Sequence, residues 1–295
     1  MKEVKIKGFQ DYELTARLFE VKNPKGIVQI LHGMQEYSKR YENFAKFLNE
    51  KGFIVFVSDL RGHGKSAEDP NLLGFSSGDI SKENVQDQII ISNYLKEKYK
   101  NIPLIVLGHS YGSFLTQRYI TECNIADKVI LSGSAYTNTL LMKFGRIFAN
   151  LTAFFKGKRA IAKMIEKMSL QGYGKNFDNG NWLCKDDNIW EEYKKDKFCG
   201  TPFPASFYQS FFKLVVTNYK NIDKIKKDMP ILILSGNNDP VGENGKLVKK
   251  LYDIYKNQGL SNLVLKLYEN GRHEMLNETN KEEVYNDILT FINET

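Results

Sequence analysis

The chain has 295 residues, 42% hydrophobic and 26% charged, with a net charge of +7. That length can bury a large α/β core. Its lysines are interleaved with acids, as in "KEKYKN" and "EEYKKDK", a solvated-surface pattern that argues against nucleic acid as a partner. The opening "MKEVKIKGF" lacks a signal-peptide core, no run approaches the ~18 residues of a membrane span, and Cys123, Cys184 and Cys199 are too scattered for a disulfide framework or metal site. The expectation is a soluble protein of a reducing cytoplasm.

In chain order, alternation over residues 4–6 and 14–19 predicts two half-exposed edge strands. Residues 27–31, apolar but for Gln29, read as the first of the strands buried on both faces of a parallel sheet. "RYENFAKFLNEKG" then places Tyr41, Phe44, Phe47 and Leu48 on one helical stripe and stops at Gly52. After a strand at 53–57, "SKENVQDQIIISNYLKEKY" reads as a helix opening at Ser81, with Glu83 in its first turn and Val85, Ile89 and Leu95 on one face. A strand at 104–107, a helix after Ser110 and a strand at 128–131 follow.

The alternation breaks between about 136 and 215, a region with two tryptophans, the loop-like "GYGKNFDNGNW" and a helical stripe from Leu140 to Phe155. It resumes at Met229 with strands at 231–234 and 263–268 and helices near 245–257 and 279–293. The fold class is therefore α/β, a mostly parallel eight-stranded sheet flanked by helices. Residues 1–135 and 216–295 are expected to form the core and 136–215 a helical cap. Ligands of such sheets sit outside the carboxyl ends of the strands.

At one such end lies "VLGHSYGSF", where Gly108-x-Ser110-x-Gly112 follows a strand and opens a helix. A sharp corner there projects the Ser110 hydroxyl from the sheet edge, and the glycines offer no Cβ to clash. A serine at neutral pH needs a base. Of four histidines, His32 ends a strand and His63 sits in a loop with a plausible structural role. His109 adjoins Ser110 and should point away from it. His273, in "YENGRHEMLNE" after the last strand, is left as the base. Asp239 in "SGNNDPVG" lies past the end of a buried strand on the same edge, suited to orient that histidine. Asp228 lies before that strand, and Asp59 is better suited to holding loop backbone. The turn "LHGMQE" offers the Met34 N–H opposite that of Tyr111, two donors for an oxyanion.

With these residues in hand, the chain resembles the α/β-hydrolase superfamily, and within it the monoacylglycerol lipase and lysophospholipase branch of S33-type proteins. "LHGMQEYSKRYENFAKFLNEKGFIVFVSDLRGHGKS", "LGHSYGS", "SGNNDPVG" and "LYENGRHEMLNE" carry the likeness over 27–135 and 229–293. It implies Ser110 as nucleophile, Asp239 and His273 as its partners, Met34 and Tyr111 as oxyanion donors, and no metal or organic cofactor. It also implies a lipid-like monoester substrate, a monoacylglycerol or lysophospholipid, with a short-chain esterase or S33-type peptidase as the alternative. Where the branch often has GHSMGG, this chain has Tyr111 and Ser113, so the Tyr111 side chain enters the question of acyl fit. The simplest expectation for the stripe from Leu140 to Phe155 is packing on the core. A second is a roof over an acyl pocket, with nearby lysines and Arg159 turned to lipid headgroups and the cap in transient contact with a membrane surface.

Overall fold

A computed structural model describes residues 1–168 and 170–294. Strands β1 (Lys2–Lys7), β2 (Glu13–Phe19), β3 (Gly26–Leu31), β4 (Phe53–Ser58), β5 (Leu104–His109), β6 (Lys128–Ser132), β7 (Ile231–Gly236) and β8 (Leu263–Tyr268) form one sheet. Their order is β1-β2-β4-β3-β5-β6-β7-β8; β2 is antiparallel to both neighbours and every other pair is parallel. The mostly parallel eight-stranded sheet expected from the sequence is the one found.

Two strands differ from expectation. β2 lies between β1 and β4 and is largely buried, so only β1 is an edge strand at that side. β8, apolar but for Lys266, closes the opposite edge and is half-buried because only β7 covers it. The strand period sorts the core. In β5, Leu104 and Val106 face one layer and Ile105 and Leu107 the other. The first layer is completed by α2 (Ile80–Lys98), α3 (Tyr111–Glu122) and α9 (Lys246–Asn257), the second by α1 (Glu42–Glu50) and α10 (Lys281–Asn293). α2 starts one residue before Ser81 because Asp79 caps it, its carboxylate accepting the Lys82 N–H at 3.4 Å.

Between β6 and β7 the chain forms α4 (Leu140–Lys156), α5 (Lys163–Met168), α6 (Leu170–Tyr173), α7 (Asp187–Lys195) and α8 (Ala205–Thr217). α4 packs on α8 through its small residues. Ala149 and Ala153 are buried, and a Cβ on Gly145 would meet the Phe212 ring at 2.6 Å. The apolar stripe lies on the opposite side and corrects the sequence reading: Leu140, Phe144, Phe154 and Phe155 are 71%, 66%, 81% and 76% exposed. Of that stripe, Phe148 packs against the core. Helical periodicity locates an apolar face but not the side its partner occupies, and here the partner took the face of alanines and glycine. Among the described residues no helix is long and apolar enough to cross a membrane.

Candidate active site

The parallel strands bring Ser110, Asp239, His273 and the turn around Met34 to one sheet edge, after β5, β7, β8 and β3 respectively. At the β5–α3 corner Ser110 has φ 51° and ψ −118°, a conformation costing about 1–3 kcal/mol in a non-glycine residue. It is held by its N–H donating to Ser132 O at 2.9 Å and its carbonyl accepting the Ser113 N–H at 2.9 Å. A Cβ on Gly112 would run into the Leu31 and His32 carbonyls, and one on Gly108 into Thr116 and the Gly112 carbonyl. The two glycines are what lets the corner sit against β3.

Asp239 is fully buried. Its Oδ1 accepts the Val241 N–H at 2.9 Å, and its Oδ2 accepts both the Ser235 hydroxyl and the Nδ1–H of His273 at 2.9 Å. Burial pushes its pKa up, but the His273 charge and these hydrogen bonds prevail and hold it below the ordinary value. Burial likewise opposes the charged form of His273, and Asp239 outweighs it, so that pKa lies above the ordinary one. With Nδ1 committed to Asp239, the Nε2 of His273 is buried without a partner among the described residues. Ser110 and His273 line the same cavity, with no hydrogen bond between them.

The other histidines fall out by their contacts. His32 accepts the Leu60 N–H at 2.8 Å, and His63 is buried against His32, Tyr111, Phe203 and Phe207. Burial, followed by the His273 charge, lowers the pKa of His109 to about 4. Its ring does not leave the site as expected; it packs 4.9 Å from that of His273 and lines the cavity. Asp59 accepts the Ser38 and Lys65 N–H groups, the loop-holding role expected of it.

The His32–Gly33–Met34 turn adjoins the corner, since a Cβ on Gly33 would lie 3.3 Å from that of Ser110. Among the described residues, neither the Met34 nor the Tyr111 amide donates to a protein acceptor. The turn is anchored by a group that sequence reasoning missed. Glu36 accepts the Gly33 N–H at 2.5 Å, the Tyr41 hydroxyl at 2.8 Å and Arg40 at 2.8 Å. Arg40 reaches on to Glu274, donating to both carboxylate oxygens at 2.5 and 2.7 Å. A buried Glu36–Arg40–Glu274 triad thus joins the turn beneath Met34 to the residue after His273. Burial raises the Glu274 pKa, but Arg40 overrides it and brings it to about 2. The only sequence signal was the i, i+4 pair Glu36–Arg40, common on exposed helices.

The cavity beside Ser110 has a volume of about 540 Å³, within the range of small-molecule sites. Its walls are mainly apolar: Met142 from α4, Phe211 and Phe212 from α8, Trp182 and Leu183 from the loop before α7, and Val241. Trp182, also unassigned from sequence, packs its ring 5.1 Å from that of His273. Tyr111 lines the cavity too, with its hydroxyl 3.1 Å from Ser81 Oγ and its ring against Phe207 at 5.2 Å.

Sheet order, corner and cavity together define an α/β-hydrolase. The chain belongs to the family described as serine aminopeptidase, S33, whose model matches residues 22–280. It is 25% identical over 275 residues to a monoglyceride lipase homolog of Monkeypox virus, covering 91% of this chain and 90% of that one. It is also 25% identical over 278 residues to the monoacylglycerol lipase of Mycolicibacterium smegmatis, covering 92% and 89%. Among solved structures, a thermostable carboxyl esterase from Bacillus coagulans in complex with glycerol superposes with a TM-score of 0.88 at 25% identity, covering 99% and 97%. A soluble variant of the Saccharomyces cerevisiae monoglyceride lipase gives 0.76 at 21% identity, covering 99% and 94%.

Proposed function

We propose that the protein is a serine hydrolase of carboxylic esters, acting on lipid-like monoesters such as monoacylglycerols or lysophospholipids, with residues 136–215 as its cap. The observation that carries this reading is the buried, unpartnered Nε2 of an Asp239-oriented His273 sharing an apolar cavity with Ser110. His273 Nε2 takes the Ser110 proton as Oγ attacks the ester carbonyl, and the Met34 and Tyr111 amides receive the negative charge that develops on the carbonyl oxygen. His273 then protonates the leaving alcohol, and an acyl group stays on Ser110. Water, deprotonated by His273, releases the acid and regenerates Ser110. Asp239 stabilises the imidazolium through both half-reactions.

The names of the relatives support an ester substrate over a peptide. A short-chain esterase differs in chain length alone. The test is labelling by a fluorophosphonate probe, then turnover of p-nitrophenyl esters graded by length, monoolein and lysophosphatidylcholine. Labelling lost in Ser110→Ala and activity peaking at medium or long acyl chains are expected. An unlabelled wild-type protein, as a silent ligand receptor would be, refutes the reading.

A further inference from the structure

Ser113, which stands where the branch often has glycine, has no role in the chemistry above. It lies buried in the first turn of α3, and a serine so placed often does no more than bond back to a carbonyl one turn earlier. Here that carbonyl belongs to Ser110. Ser113 Oγ is 2.6 Å from it, and the Ser113 and Phe114 N–H groups donate to the same oxygen at 2.9 and 3.2 Å. The two amides come with any helix that starts at this corner. The hydroxyl is added by the side chain.

That hydroxyl is the end of a directed chain. It has one proton, and a carbonyl can only accept, so the proton goes to Ser110. Ser134 Oγ, 2.9 Å from Ser113 Oγ, must then be the donor of that pair. The Ser134 oxygen in turn accepts from the Gln117 amide at 2.9 Å. The Gln117 carbonyl accepts the Tyr219 hydroxyl at 3.0 Å, and the Tyr219 oxygen takes the Thr137 N–H at 3.0 Å. Five donors therefore point one way, from Thr137 on the cavity wall to the carbonyl of Ser110. Ser113, Gln117, Ser134 and Thr137 are all buried, and hydrogen bonds aligned head to tail in such surroundings strengthen one another.

The Ser110 carbonyl and the Tyr111 N–H are opposite ends of one planar peptide and point in opposite directions. Donors gathered on the oxygen fix that plane, and with it the direction of the N–H. By drawing electron density onto the oxygen they also make the N–H a stronger donor. We infer that Ser113 is a positioning residue of the oxyanion site, aiming and polarising the Tyr111 amide through the carbonyl of Ser110. The inference rests on the oxyanion role proposed for that amide. It also gives the strained Ser110 backbone, at φ 51°, a hold beyond its two backbone bonds.

The test is Ser113→Ala, which removes the hydroxyl and leaves every backbone donor in place. A lost oxyanion donor costs about 10²–10³ in kcat; here the donor stays but is less well held, so a loss of about tenfold is expected. It should fall on kcat for a soluble p-nitrophenyl ester, with KM unchanged. An alkyl trifluoromethyl ketone reports the oxyanion directly. Ser110 Oγ adds to its carbonyl, the proton passes to His273, and the hemiketal oxygen carries its negative charge to the same amides. The ketone Ki should rise by the factor by which kcat/KM falls, with the pH midpoint of His273 unmoved. Ser113→Ala also strands the buried Ser134 hydroxyl, so Ser134→Ala is added to separate stability from positioning. The pair should regain thermal stability but none of the ketone affinity. Ser113→Ala within about twofold of wild type in kcat and Ki overturns the inference, as does a kinetic loss that the second substitution reverses, or one confined to KM. Those outcomes leave the hydrolase reading standing. A wild-type protein that neither turns over esters nor takes the ketone removes both.

Discussion

Replacing Asp239 with asparagine removes one charge and one acceptor while leaving the side-chain volume almost unchanged. Oδ1 holds the Val241 N–H and Oδ2 holds both Ser235 Oγ and His273 Nδ1, each at 2.9 Å. If the asparagine oxygen stays on Val241, its NH₂ faces His273, whose Nδ1 must then accept. The imidazole proton moves to Nε2, the atom that has to take the Ser110 proton, and such a wrong tautomer costs about 10⁴ in turnover. A flipped amide would restore the tautomer but turn NH₂ on the Val241 N–H, leaving a buried donor unsatisfied at about 1–3 kcal/mol. That confines the flipped form to a small minority, and it still lacks the charge that stabilises the imidazolium. Asp239→Asn should therefore fall by about 10³–10⁴ in kcat on a soluble p-nitrophenyl ester, with near-UV circular dichroism unchanged. A folded variant within tenfold of wild type would show that another acid orients the base.

Two further outcomes follow from the same geometry. His273 has a raised pKa and is the neutral base of the proposed mechanism, so kcat/KM should rise with pH through a midpoint above the ordinary histidine value; a midpoint below it would mean that burial outweighs Asp239. The stability contribution has the opposite sign, present in full below the unfolded pKa and lost as pH rises through the folded one. Arg40→Gln strands two buried carboxylates and should cost about 3–5 kcal/mol in urea unfolding, together with a loss of kcat as the Gly33 turn loosens. A loss under about 1 kcal/mol would mean that the Glu36–Arg40–Glu274 triad is not structural.

What could be read beforehand, and what could not, divides by the reach of the forces involved. The placement of Ser110, Asp239 and His273 together was legible because each follows a strand of the parallel part of the sheet, and parallel strands have all their carboxyl ends on one edge. The Gly108 and Gly112 contacts were legible for a similar local reason, since strand-to-helix corners bring backbone within a Cβ of backbone. The Glu36–Arg40–Glu274 triad was not, because its ends are 238 residues apart and a Glu–Arg pair at i, i+4 is ordinary surface chemistry. The direction of α4 was illegible too. Its leucines and phenylalanines outnumber its small residues, and only the ridge of Phe212 shows that Gly145, Ala149 and Ala153 are the contact face. Tyr111 and Trp182 lie between these cases: both were visible as departures or rarities, but their contacts with Phe207 and His273 come from the folded chain.

The loop before α7 also changes how cap truncations must be interpreted. Leu183 O accepts the Glu274 N–H at 2.7 Å, Arg272 donates to Cys184 O at 3.1 Å and to Asn181 O, and Trp182 packs on the His273 ring. Residues 181–184 are therefore bonded to both neighbours of His273 and packed on its ring. α4 is tied in from the other side, since it packs on α8, whose Phe207 and Phe211 rings adjoin Tyr111. Deleting segments of 136–215 removes support from His273 and the Ser110 corner as well as wall from the cavity. A fall in activity on long chains after such a deletion would not by itself report chain-length selection. Substitution of Met142 or Phe212 changes the wall while leaving residues 181–184 in place, and chain-length preference should shift there with the pH profile of His273 unmoved.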